Sequence, residues 1–208
     1  MTTMGTAQAQ LADLSELGLH AAQPDRARAA VVVVDMQRFF DHIATPLLPA
    51  VNHLTASARR GDRPVVFTRH GHHDLAVDGG VLAEWWQDDL AIVDSPPWHL
   101  LDDLHVEAPD AIIDKTRYSA FYGTWLEAYL RRLGVTDVVV CGVMTNCCIE
   151  TTCRDAFMRD FRVWVPVDAT ATESPDLHRG ALASLGTSCA VLSSADGLAL
   201  ALSPSAAA

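Results

Sequence analysis

Val138-Val139-Val140-Cys141-Gly142-Val143-Met144-Thr145-Asn146-Cys147-Cys148-Ile149-Glu150-Thr151-Thr152 is the stretch whose reading decides the fold. A β-branched run ends at a glycine, and a pattern with helical spacing begins near Asn146, so the chain passes here from a buried strand into a helix. The first turn of a helix leaves N–H groups without intrahelical partners and carries partial positive charge. Such a place favours a thiolate and can hold an oxyanion. Cys148 therefore reads as a nucleophile on a strand-to-helix turn. An inert core cysteine is the competing reading.

Outward from this unit the same alternation repeats. Short apolar runs at residues 30–34, 64–68, 111–114, 138–142, 162–167 and 189–192 predict six strands. Between them, residues 47–60, 124–133, 146–159 and 175–185 carry apolar side chains at helical spacing, with Gly61, Gly134 and Gly186 as stops. The expectation is an α/β chain, three-layered α/β/α, with a mostly parallel six-stranded Rossmann-like sheet in a single domain over residues 1–208. Residues 1–28 read as an N-terminal extension with an amphipathic helix around 9–19, and residues 203–208 as a flexible tail. The segment 70–104, rich in His, Asp, Gly and Trp, reads as a long functional loop or interface.

Composition narrows the function classes. The chain has 208 residues, half of them hydrophobic, and a formal net charge of -11 with no lysine or arginine stripe. That excludes nucleic acid and an anionic membrane surface as expected partners. The acidity could suit a cationic substrate, but a solvated acidic surface is the favoured explanation. Cysteine is present in an odd number, 5, and Cys141, Cys147, Cys148 and Cys153 crowd into one strand-to-helix unit, unlike a disulfide framework. A reducing, cytoplasmic setting is expected, with neither a signal peptide nor a membrane span.

In a parallel α/β sheet, ligands bind at the carboxyl ends of the strands. Asp35, Lys115 and Cys148 each stand at such an end. An acid, a cation and a thiol sharing one crevice form a machine for hydrolysing a C–N bond: Lys115 lowers the thiol pKa, Asp35 takes and returns the proton, and backbone N–H groups hold the oxyanion. Singly, each has a plainer explanation, as a turn former, a surface lysine and a packed cysteine.

Three blocks carry a resemblance. Val31 to Phe40 around Asp35, Asp114 to Phe121 around Lys115, and Gly142 to Ala156 around Cys148 resemble the signatures of the isochorismatase-like cysteine hydrolases, a superfamily that includes nicotinamidases, N-carbamoylsarcosine amidase and ureidoacrylate amidases. The resemblance implies that Asp35, Lys115 and Cys148 are catalytic, with Cys147 packing. It also implies a non-proline cis peptide between Val143 and Met144, and an oxyanion hole made by the N–H groups of Met144 and Cys148. Isochorismatases proper have glycine at the nucleophile position, so the cysteine favours amide, ureide or lactam hydrolysis through a thioester. A vinyl ether hydrolase using Asp35 without the thiol is one alternative, and a catalytically silent binding or scaffold member is another.

Nicotinamidases hold a metal after the second strand, where this chain has His70 in place of the ligating aspartate. His70, His72, His73 and Asp74 remain candidate ligands, but the expectation is no metal and no organic cofactor. Phe40, His70, Trp86, Tyr118 and Phe121, with Trp85 and Trp98, are candidate walls of a small-molecule pocket. The resemblance also implies a homo-oligomer, a dimer or tetramer.

Overall fold

The structure is a computed structural model and describes residues 23–204. Its strands are β1 (Ala29–Val34), β2 (Val65–His70), β3 (Ala111–Lys115), β4 (Asp137–Val143), β5 (Arg162–Pro166), β6 (Thr170–Ala171) and β7 (Ala190–Ser193). They form one sheet in the order β3-β2-β1-β4-β5-β7, with β6 paired to β4, and every pairing is parallel. The strand order reverses beside β1, which lies between β2 and β4, so a crevice opens at the carboxyl ends of these strands.

Both faces of β1 are buried, which is why it reads as an unbroken apolar run. Ala30, Val32 and Val34 meet Leu126, Leu130, Leu182 and Leu185 on one side of the sheet. Ala29, Val31 and Val33 meet Val51, Leu54, Leu198 and Leu202 on the other. Helices thus cover both faces: α1 (Asp41–Ala44), α2 (Leu48–Arg60), α3 (Gly80–Trp86), α4 (Leu126–Arg132), α5 (Glu150–Phe157), α6 (Pro175–Ser188) and α7 (Ala195–Leu202). Among the described residues, no helix is long and apolar enough to cross a membrane.

All six expected strands form, with ends displaced by a residue or two, and the three-layer architecture holds. Four local expectations are corrected. The helix foreseen from residue 146 starts as a wider turn over Thr145–Ile149, in which Ile149 N–H donates to the Met144 carbonyl five residues back at 3.1 Å. Gly186 does not stop α6, which runs on to Ser188, because packing of Leu182 and Leu185 on the sheet outweighs one glycine's propensity. The segment 70–104 is not wholly loop, since it contains α3. Finally, β6 and α7 were not foreseen: a two-residue strand has no period, and the apolar stretch Ala195–Leu202 has no polar face to mark it. The expected helix around 9–19 and the tail beyond residue 204 lie outside the described residues.

Candidate active site

The end of β1 brings Asp35 to the rim in the left-handed region, φ 52°, a costly conformation for a residue with a Cβ that points to a local functional constraint. Thr68 on neighbouring β2 fixes the carboxylate: its Oγ1 donates to Asp35 Oδ1 at 2.6 Å and accepts the Asp35 N–H at 3.2 Å. Lys115, the last residue of β3, reaches under β2 and sets Nζ 2.6 Å from Asp35 Oδ2. The same Nζ donates to the Arg117 carbonyl at 3.0 Å and lies 3.5 Å from Cys148 Sγ. Three residues distant in the chain therefore meet at one point. Cys148 lines a cavity of about 330 Å³, while Asp35 and Lys115 are sealed beneath it.

Electrostatics here run partly against the sequence-based expectation. Burial is the largest influence on the Cys148 thiol and pushes it well above the ordinary cysteine value; Lys115 pulls it back only in part. Burial also works against the Lys115 charge, but Asp35 and Cys148 outweigh it and hold the ammonium above its ordinary value. The Asp35–Lys115 ion pair thus stands beside a thiol that burial holds up. Because the ammonium still favours the thiolate, Lys115→Met should shift the iodoacetamide alkylation profile of Cys148 to higher pH. An unshifted profile would remove Lys115 from that role.

The Val143–Met144 peptide, just before the turn carrying Cys148, is cis, as expected from the resemblance. Cys147 points elsewhere. It is half-buried against the core on the opposite face, and burial raises its thiol.

Phe40, His70, Trp86 and Tyr118 line the cavity. Trp86 Nε1 donates to the Tyr118 hydroxyl at 2.7 Å, which holds two of these walls together. Burial first, and Lys115 second, push the His70 imidazole down to about 3, so it is neutral; its Nε2 has no hydrogen-bond partner among the described residues. Phe121 is a correction. It sits in the core with its ring 5.8 Å from that of Phe161, packed in the same apolar cluster as Leu126 and Leu130. Trp85 and Trp98 do not wall the cavity either: Trp85 is 75% exposed, and Trp98 is buried against Gly71 under the Arg69 guanidinium.

The candidate metal cluster is only half assembled: the His70 and His72 rings stand 5.2 Å apart, each with an Nε2 that has no partner among the described residues. His72 Nδ1 bonds Asp78 at 3.1 Å, Asp74 caps the next turn by accepting the Ala76 N–H at 3.0 Å, and His73 is exposed. Among the described residues no three His, Cys, Asp or Glu side chains gather around one point, so this donor set does not fit a metal ion and no step is routed through one.

Sequence reasoning missed several residues of this site. Gln37 is fully buried and clamps the rim: its Nε2 donates to the carbonyls of His70 (3.0 Å) and Trp98 (2.7 Å), and its Oε1 accepts the His70 N–H (2.7 Å). Its signal was a polar residue two positions after Asp35. Asn146, Thr172, Glu173 and Leu177 complete the wall, with Thr172 donating to Asn146 at 2.6 Å and His42 to Glu173 at 2.7 Å. Polar residues before a helix carry no periodic signal, so the 172–177 wall was unreadable.

A family model described as "Isochorismatase domain" matches residues 29–197. The chain belongs to the isochorismatase family. It is 40% identical over 177 residues to Nicotinamidase 3 of Arabidopsis thaliana, covering 84% of this chain and 89% of the relative. It is 33% identical over 193 residues to a ureidoacrylate amidohydrolase of Methylobacterium radiotolerans, covering 78% and 75% of the two chains. A solved cysteine hydrolase from Pseudomonas syringae pv. phaseolicola superposes with a TM-score of 0.82 at 26% identity, over 88% of this chain and 96% of that one. This isochorismatase-like chain is an enzyme, a hydrolase.

Proposed function

We propose that this isochorismatase-like hydrolase cleaves an amide, ureide or lactam C–N bond of a small molecule through a thioester on Cys148. The observation that carries the reading is the placement of Cys148 Sγ on the cavity wall, 3.5 Å from an ammonium that is itself 2.6 Å from a buried carboxylate. The names of the Arabidopsis and Methylobacterium relatives, an amidase and an amidohydrolase, support the bond class.

The thiol stays protonated until substrate arrives, so attack and proton transfer proceed together. As Sγ bonds the substrate carbonyl carbon, its proton passes to Asp35, and the N–H groups of Met144 and Cys148 receive the oxyanion. Collapse breaks the C–N bond and expels the amine, which takes the proton from Asp35. Water then attacks the thioester while Asp35 accepts its proton; the acid leaves and the thiol is restored by the same proton. Lys115 remains cationic throughout and keeps Asp35 oriented. Each step uses this chain's own groups and no organic cofactor. With His70 in the aspartate position, and with His73 and Asp74 exposed, support for nicotinamide itself is weaker than for the wider amide class.

Acid quenching during turnover of an amide panel, followed by peptide mass analysis, should show the acyl group on Cys148 together with ammonia or amine release. Acylation of Cys147, or turnover with no acyl-enzyme even under single-turnover sampling, would sink the thioester mechanism.

A further inference from the structure

The charges on the cavity wall are of one sign. Asp89 and Glu173 line it, and among the described residues neither lysine nor arginine does. Glu173 is engaged by His42 at 2.7 Å. Asp89 is exposed, and its carboxylate has no hydrogen bond or ion pair among the described residues. The cation nearest the thiol, Lys115, is buried off the wall and already bound to Asp35 at 2.6 Å and the Arg117 carbonyl at 3.0 Å. Of the two histidines on the wall, His70 is neutral and His42 is already engaged by Glu173 at 2.7 Å.

Resting on the hydrolase reading above, we infer that this cavity admits uncharged or cationic amides and turns away carboxylate-bearing ones, and that Asp89 is the specificity residue that sets the choice. A substrate carboxylate entering this space leaves water, meets two carboxylates and finds no counter-ion, while Phe40, Trp86 and Leu177 offer it only apolar contact. An ammonium or amidinium on the same scaffold meets Asp89, which is free to pair with it. The formal net charge of -11 adds a weaker repulsion at longer range, subject to salt screening. Discrimination of this kind is achieved by an unfavourable group facing the wrong ligand as much as by attraction to the right one.

Three primary amides of matched size test this: benzamide, 4-carbamoylbenzoate and 4-(aminomethyl)benzamide. Turnover is measured with the native enzyme and binding by calorimetry with Cys148→Ala. The carboxylate should be poorer than benzamide by about tenfold in both kcat/KM and affinity, which is the effect of one like-charge contact near a protein surface. The ammonium compound should equal or exceed benzamide. Asp89→Lys should shrink or reverse the carboxylate penalty, and high salt should reduce it. A carboxylate that matches benzamide, a penalty untouched by Asp89→Lys, or binding of none of the three at millimolar concentration would overturn the inference. Ordered binding without turnover supports the charge selection while failing the hydrolytic reading; turnover that favours the carboxylate does the reverse.

Discussion

Cys148→Ala should lower kcat/KM for amide hydrolysis by about a thousandfold or more, the usual cost of removing a covalent nucleophile. Far-UV circular dichroism and the melting temperature should stay close to those of the native protein. The fold tolerates the change because Sγ sits at the cavity wall, where the space left behind joins an existing opening instead of creating a sealed void. Cys147→Ala is the matched control. Its thiol packs on the other face, so that variant should retain most activity with at most a change in KM. If the two variants exchange behaviour, the nucleophile has been misassigned. If Cys148→Ala still turned over isochorismate, Asp35 would be acting alone on a vinyl ether.

The largest effect on stability is expected at Gly142. Its φ is 110°, in a region that side-chain-bearing residues seldom occupy, and an added Cβ would stand 2.1 Å from the Val34 carbonyl oxygen. That oxygen belongs to the neighbouring strand, where Val34 is in register with Gly142, so neither partner can move without opening the centre of the sheet. Gly142→Ala should therefore cost about 4 kcal/mol or more, combining backbone strain with overpacking. For a chain of this size that is a fall of about 8–16 °C in melting temperature. Gly180 is the opposite case. It lies exposed in α6 with nothing within 4 Å of an added Cβ, so Gly180→Ala should stabilise by about 0.5–1 kcal/mol. Equal melting temperatures for Gly142→Ala and the native protein would show that the β1–β4 contact is looser than described.

The strands were legible because their cause is local. A valine run flanked by turn residues can satisfy its backbone and bury both faces only inside a parallel sheet, and β1 does so over all six of its residues. Phe121 shows where such reading stops: its spacing from Lys115 places it near the rim, yet whether the ring faces the cavity or Phe161 depends on how the chain turns after Tyr118. His72 and Asp74 make the same point. Their spacing resembles a chelating set, but Asp78 and the Ala76 N–H claim them one at a time. The thiol pKa was only partly legible for a related reason. A neighbouring ammonium is visible as a candidate in the sequence, whereas the burial that outweighs it belongs to the packed state.

By itself, the sequence determined the alternation of strands and helices, the covering of the sheet on both faces, and which acid, cation and thiol stand at strand ends, because each follows from short-range periodicity. Only the tertiary structure decided that Lys115 bridges Asp35 and Cys148, that Gln37 and Thr68 hold the rim, and that the cavity wall is acidic. Those are distances and burial between residues 30 or more positions apart, and they arise when the sheet closes, not from any local preference of the chain.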